Sequence, residues 1–223
     1  MTQDSEQVIL GNQSVLTRLI DLADNEKLHS CLLFEGPAGV GKHTVAHRLA
    51  QAVNCERQQA TLLGPAPSSE ACGGCWNCRA IAAGTHPDIL EIGLDPEKTA
   101  PVISVAQSRK LIRDLKLKPF RAAHRVVIID PAEAMTAEAA NALLKTLEEP
   151  PDDTILILIT SSSSGLLQTV TSRSQRVRFN PVNVDDLALW LDEQGFSNCH
   201  WLALMSEGCP GKALSLARGG ADE

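Results

Sequence analysis

Leu32-Leu33-Phe34-Glu35-Gly36-Pro37-Ala38-Gly39-Val40-Gly41-Lys42-His43-Thr44 is the stretch whose reading decides the fold. Its apolar start reads as a buried strand and breaks into a glycine-rich turn. Apolar positions return at Val45, Ala46, Leu49, Ala50 and Val53, the spacing of a helix. Strand, glycine turn and helix in that order give a phosphate-binding loop its structural context. Gly36, Gly39 and Gly41 let backbone N–H groups converge on phosphate oxygens. The helix adds its positive dipole end, and Lys42 a mobile ammonium. The pattern departs at one place: the hydroxyl expected directly after the lysine is replaced by His43, and Thr44 comes one position late. That hydroxyl ordinarily ligates Mg2+, a hard cation that prefers oxygen to imidazole. The loop therefore reads as built for phosphate, with ATP or ADP as candidate ligands and Mg2+-dependent hydrolysis disfavoured. The plainer alternative is an ordinary glycine-rich turn between a strand and a helix.

The 223 residues suffice for one sizeable domain and a small one, and 43% hydrophobic content supports a real core. With four Phe, three Trp and no Tyr, that core is aliphatic. Base-stacking platforms for single strands are not expected on the same ground. No apolar run approaches a membrane span, and the acidic start Met1-Thr2-Gln3-Asp4-Ser5-Glu6 has no signal-peptide pattern, so a soluble cytoplasmic protein is expected. A net charge of −7 argues against a whole-surface nucleic-acid binder. One stretch runs the other way, with Arg109, Lys110, Arg113, Lys116, Lys118, Arg121 and Arg125 against the single acid Asp114. Its plain reading is a solvated helix face.

Upstream of the loop, Val15, Leu16, Leu19, Ile20 and Leu22 predict a helix within 8–28, with Asn12 as its cap. Downstream, Cys55 and Cys72-Gly73-Gly74-Cys75-Trp76-Asn77-Cys78 supply four thiolates able to close a tetrahedral zinc shell. Four ligands leave no open position, so such a site is structural, and in a cytoplasmic chain metal is favoured over disulfides. The interval 58–71 reads as a surface insertion. Cys31, Cys199 and Cys209 are expected in the core. His86 reads as a satisfied structural histidine, since four cysteines already suffice. Residues 102–117 are expected to be helical and to carry the basic stretch. Arg125-Val126-Val127-Ile128-Ile129-Asp130 predicts a buried parallel strand whose carboxyl end meets a ligand crevice. A helix over 135–147, stopped by Pro150-Pro151, a buried strand over 154–160 and a short strand ending at Phe179 follow. Asn180-Pro181 marks a boundary, and 184–217 is a small helical segment.

Taken in order, Leu10-Gly11-Asn12-Gln13, the loop from Gly36 to Lys42, the cysteine cluster, Val126–Asp130, Leu143-Leu144-Lys145-Thr146-Leu147-Glu148-Glu149-Pro150-Pro151 and Thr171-Ser172-Arg173-Ser174-Gln175 closely resemble bacterial sliding-clamp loaders. These are AAA+ proteins of the DNA polymerase III holoenzyme, and the resemblance covers nearly the whole chain. It implies an α/β domain with a parallel sheet over 1–180, a zinc module embedded at 55–78, and a helical lid over 181–223. The family's third, all-helical collar domain is not expected within these 223 residues. In the family's gamma/tau motors the second strand ends in Asp-Glu, whereas here Asp130 is followed by Pro131, and Glu133 is expected to point elsewhere. Together with His43, this resembles the delta-prime subunit, a stator without brisk hydrolysis of its own. The resemblance gives Arg173 the role of a finger reaching a neighbouring subunit's nucleotide. It places Thr160 as first sensor and Lys212 as second, and it raises Arg109, Lys110, Arg113 and Lys116 to candidates for duplex backbone contact. Implied partners are gamma/tau, delta, the sliding clamp and primer-template DNA. Two other readings stay open: a gamma/tau-type ATPase motor, and a stand-alone zinc-containing DNA-binding module.

Overall fold

The computed structural model describes residues 9–56 and 71–219; the expected surface insertion lies almost wholly outside them. Among the described residues, five strands form one parallel sheet: β1 (Cys31–Glu35), β2 (Ile89–Ile92), β3 (Arg125–Ile129), β4 (Thr154–Thr160) and β5 (Gln175–Arg178), in the order β2-β3-β4-β1-β5. β3 and β4 are buried along their whole length, as continuous Val/Ile/Leu runs covered on both faces must be.

The two-residue alternation of the strands divides the core in two. Leu32, Phe34, Val126, Ile128, Ile155 and Ile157 face α1 (Gln13–Asp24) and α2 (Lys42–Val53). Cys31, Leu33, Val127, Ile129, Leu156 and Leu158 face α4 (Val105–Asp114) and α5 (Ala137–Glu148). Between α2 and β2 lies α3 (Trp76–Ala82), and α6 (Gln168–Thr171) precedes β5. Truncating a fully buried side chain such as Ile157 to Ala would cost about 2–5 kcal/mol, because the packed layer around it relaxes only partly into the cavity left behind. After Asn180, α7 (Val184–Glu193), α8 (Cys199–Met205) and α9 (Pro210–Ala217) gather a cluster of their own around Leu187, Leu191, Leu202 and Ala213. No described helix is long and apolar enough to cross a membrane.

Two expectations are corrected here. Asn12 occupies the N-cap position of α1 but makes no side-chain cap. Its amide instead donates to the carbonyls of Val40 (3.3 Å) and Asn180 (3.2 Å), tying the glycine loop to the junction before the last three helices. The helix expected over 102–117 is shorter. Ile103 bridges Met135, so the chain is still extended there. The turn starts only after Ser104, whose N–H donates to the Gln107 side chain at 2.8 Å.

Candidate functional site

The glycine loop leaves β1 and enters α2 as the spacing predicts. Gly41, the N-cap of α2, is left-handed with φ of 100°, a conformation that costs an L side chain energy. Lys42 is 6% exposed, and its ammonium donates to the carbonyls of Gly36 (2.6 Å) and Pro37 (2.7 Å). Burial pulls it below the ordinary lysine range, while Asp130 and Glu133 oppose that shift. Burial likewise pushes the Asp130 carboxyl up, with His43 and Lys42 working against it. Opposite charges therefore face each other at the carboxyl ends of β1 and β3, the crevice side of a parallel sheet.

The start of α9 lies directly on this loop. Gly211 N–H donates to the Gly39 carbonyl at 2.8 Å. Gly39 has φ of +75°, and a Cβ there would stand 2.7 Å from the Lys212 backbone nitrogen. Only glycine allows so close an approach. The Lys212 ammonium itself turns away, 3.7 Å from Glu207. Thr44 is half-buried in the first turn of α2. Thr160 is buried, and its hydroxyl donates to the Ser162 carbonyl at 2.8 Å, turned into its own loop.

Glu133 requires correction. Expected to point away, it accepts from Ser161 N–H at 3.0 Å, and its charge reaches Lys42 and Asp130. Burial would raise its carboxyl, but the Ser161 hydroxyl and N–H bring it below the usual range. It is thus a member of the crevice that sequence spacing missed. The turn after Pro131 swings its side chain back toward β4.

Arg173 lies elsewhere. It precedes β5, whose Gln175 pairs with Leu32 near the start of β1, so it lies at the amino-terminal ends of these parallel strands, the end opposite the glycine loop. The five residues of β1 separate the two by about 15 Å. Its Nε donates to Glu148 Oε1 at 2.6 Å and its Nη1 to the Thr169 carbonyl at 2.9 Å. Glu148 and Arg173 line a shallow cleft of about 480 Å3 with His29, Leu147 and Ser172. From this position Arg173 cannot reach the phosphate loop of its own chain.

The cysteines converge. The four Sγ atoms of Cys55, Cys72, Cys75 and Cys78 lie within 4.8 Å of one another, against about 3.8 Å for a tetrahedron with 2.3 Å metal–sulfur bonds. Backbone N–H groups of Cys72, Cys75 and Cys78 donate to the Sγ atoms of Cys55, Cys72 and Cys75 at 3.3–3.4 Å. Burial alone would raise the Cys72 thiol. The N–H groups of Cys75 and Gly74 and the neighbouring sulfurs outweigh it and bring the thiol down to about 6. Cys78 is pushed up by burial and by its hydrogen bond with Cys75. Four sulfurs this close cannot all ionise unless a cation joins them, so the donor set fits a thiophilic metal.

A chain of buried amides binds this cluster to the sheet. Gln51 donates to the Cys78 carbonyl (2.9 Å) and Asn77 to the Asn54 carbonyl (2.8 Å), and Asn54 accepts from His124 N–H (2.8 Å). His86 is buried between Asn77 and the Asp88 N–H, the structural role expected of it. Asp88 was not anticipated. It is 1% exposed and accepts from the backbone N–H groups of Phe120, Arg121 and Ala122.

The basic stretch divides. Arg109, Lys110, Arg113, Lys116 and Lys118 are exposed. Arg125 is buried and donates to the carbonyls of Asp114, Leu117 and Lys118, closing the end of α4, so it does not belong to the surface. Arg121 pairs with Glu56 at 2.9 Å and covers the Trp76 ring at 4.7 Å.

Solved structures share the architecture. A DNA polymerase III gamma-subunit-related protein from Thermotoga maritima superposes with a TM-score of 0.61 at 24% identity, over 93% of this chain and 57% of that one. The RuvB Holliday junction branch migration motor of Thermotoga maritima gives 0.55 at 16% identity, over 92% and 59%. Sheet order and glycine loop together define an AAA+ fold. A family profile described as DNA polymerase III, delta subunit matches residues 11–183. DNA polymerase III subunit delta' of Pseudomonas aeruginosa is 43% identical over 145 residues, 65% of this chain and 41% of that protein. The delta' subunit of Escherichia coli is 33% identical over 194 residues, 86% and 55% of the two chains. The Escherichia coli tau subunit is 33% identical over 179 residues, 80% and 26%. The chain belongs to the DNA polymerase III clamp-loader family, and its likeness is to the delta' subunits. It spans about half the length, or less, of these curated relatives.

Proposed function

We propose that the chain acts as a delta'-like stator of a clamp loader, supplying Arg173 in trans to a neighbouring ATPase subunit while sliding clamps are placed on primed DNA. The observation that carries this reading is the placement of Arg173 at the end of the strands opposite its own phosphate loop. A guanidinium in that position is out of reach of its own chain's phosphate loop and suited, as a planar, permanently charged fork, to the phosphate of a neighbouring subunit.

The chain's own loop supports a passive role. Lys42 is turned onto loop carbonyls, α9 rests on Gly39, His43 replaces the Mg2+-binding hydroxyl, and Pro131 stands where a motor carries its general base. ATP or ADP would draw the Lys42 ammonium from the carbonyls of Gly36 and Pro37 onto phosphate oxygen. Gly36, Gly39, Gly41, Lys42, Thr44 and Asp130 would then line the phosphates. Thr160 and Lys212 would serve as sensors only after leaving their present partners.

In this reading Cys55, Cys72, Cys75 and Cys78 hold a structural Zn2+. The exposed cations Arg109, Lys110, Arg113 and Lys116 meet duplex backbone by charge alone. The 1–180 and 181–223 segments act as core domain and lid. The test mixes this chain with gamma/tau, delta, clamp and primer-template DNA and compares wild type with Arg173→Ala. An arginine finger contributes on the order of 10^3-fold or more to its partner site, so loss of most ATPase at that site is expected. An unchanged rate removes the finger role. Brisk hydrolysis by the isolated chain would instead favour the motor reading.

A further inference from the structure

A second group of metal-ligating side chains stands apart from the cysteines. His43 and His47 are four residues apart in the first turns of α2, so their rings project from one face of the helix. The ring centroids are 4.6 Å apart and the planes tilted by 43°. Below them, on the sheet's edge strand β2, Glu91 takes the face that Ile89 also uses, the side on which α2 packs. An apolar residue would suit that position; the sequence places a carboxylate there. Its two oxygens are shared out: Oε2 lies 3.4 Å from His43 Nε2, and Oε1 lies 2.9 Å from His47 Nε2. The three donor atoms fall within 4.8 Å of one another. His47 Nε2 is buried and faces the Glu91 carboxylate at 2.9 Å.

We propose that His43, His47 and Glu91 form a binding site for a divalent transition-metal ion, separate from the cysteine cluster. Two imidazole nitrogens and one carboxylate suit Zn2+, Co2+ or Ni2+ and not Mg2+, which takes oxygen ligands in a near-ideal octahedron. Three protein ligands leave at least one coordination position for water. The half-exposed His43 and Glu91 put that position on the solvent side. An ion here would tie the edge strand β2 to the helix that begins at the phosphate loop. The residue that removes the loop's oxygen ligand for Mg2+ thereby contributes a nitrogen ligand to a softer ion. This inference goes beyond the stator reading and does not depend on it.

The experiment titrates the intact chain with Zn2+ and compares it with the His43→Gln, Glu91→Gln and doubly substituted chains. The readout is metal bound per chain by elemental analysis and calorimetry. Wild type is expected to take up one equivalent more than the double variant. Each single variant should bind that equivalent at least about tenfold more weakly, since even outer-shell changes cost this much. Because both substituted side chains are half-exposed, the variants should fold, and circular dichroism and thermal melting confirm it. The comparison reads a difference between chains, so occupancy of the cysteine cluster cancels. Co2+ supplies an independent signature: an ion at this site shows weak d–d bands without thiolate charge transfer. The proposal is overturned if folded wild type and double variant bind the same number of ions with the same affinity, or if the extra ion carries thiolate absorption.

Discussion

Glu148 holds Arg173: Arg173 Nε and Nη2 both donate to Glu148 Oε1, and Nη1 donates to the Thr169 carbonyl. Both side chains are partly exposed, at 32% and 47%, so the pair contributes at most about 1 kcal/mol to stability. To engage a phosphate, the guanidinium must exchange one carboxylate for another anion. Glu148→Gln is therefore expected to leave the thermal midpoint within a few degrees of wild type. It should leave stimulation of a partner ATPase at least as strong, whereas Arg173→Ala abolishes stimulation. Thermal melts and steady-state ATPase of the reconstituted assembly check both. Stimulation lost in Glu148→Gln would mean that the carboxylate positions the arginine and does not compete for it.

Gly39 and the start of α9 make the contact that closes the glycine loop. A Cβ at residue 39 would meet backbone at 2.7 Å, which a flexible side-chain tip could evade but a main-chain nitrogen cannot. Gly39→Ala should cost about 1–3 kcal/mol from the positive φ and this clash together. The loss should appear as increased hydrogen exchange in α9 and in residues 38–41. Uniform loosening of the whole sheet would contradict a local contact.

The central strands β1, β3 and β4 were legible because each is a short apolar run between turn signals, and Thr154–Thr160 matches the expected strand end to end. The glycine loop was legible because its residues act through the backbone, in sequence order. What escaped was set by partners distant in the chain. Asn12 looked like a helix cap, but Val40 and Asn180 claim its amide. Arg125 looked like surface charge, yet the carbonyls ending α4 bury it. Glu91 carried no signal, since a lone carboxylate in a strand gains meaning only when two histidines from another element stand over it. Cys72, Cys75 and Cys78 were found because their metal-ligand spacing is local, and Cys55, 17 residues upstream of Cys72, followed as the fourth thiolate needed to close the shell.

Asp88 should make stability depend on acid. Burial would raise its carboxyl, but the N–H groups of Ala122, Arg121 and Phe120 outweigh that and hold it below the usual range. A carboxylate whose folded pKa is depressed stabilises fully above its unfolded value of about 3.9, and that stability is lost as pH falls through the folded value. Urea melts of wild type between neutral pH and pH 3 should show this loss, and Asp88→Asn should lack that portion of it. At neutral pH, Asp88→Ala leaves three N–H groups and the Arg125 guanidinium short of a buried partner, a loss of about 3–5 kcal/mol. Parallel pH profiles for wild type and Asp88→Asn would assign the acid sensitivity to other carboxylates.

Removing the Zn2+ proposed for the cysteine cluster should loosen one part of the molecule. Gln51, Asn54, Asn77 and His86 hold the cluster against α2 and β2 through buried hydrogen bonds, whereas β1, β3 and β4 are packed without it. A structural Zn2+ contributes folding free energy only to the elements its ligands join. Chelation, or Cys72→Ser, is therefore expected to release one Zn2+ per chain from that cluster. It should raise hydrogen exchange over residues 72–86 and the last turn of α2 while the central strands stay protected. Co2+ in place of Zn2+ should show thiolate charge-transfer absorption that Cys72→Ser weakens. Global unfolding on chelation would mean that the sheet depends on the metal, because the amide chain from Gln51 to His86 carries more of the core than its hydrogen bonds imply.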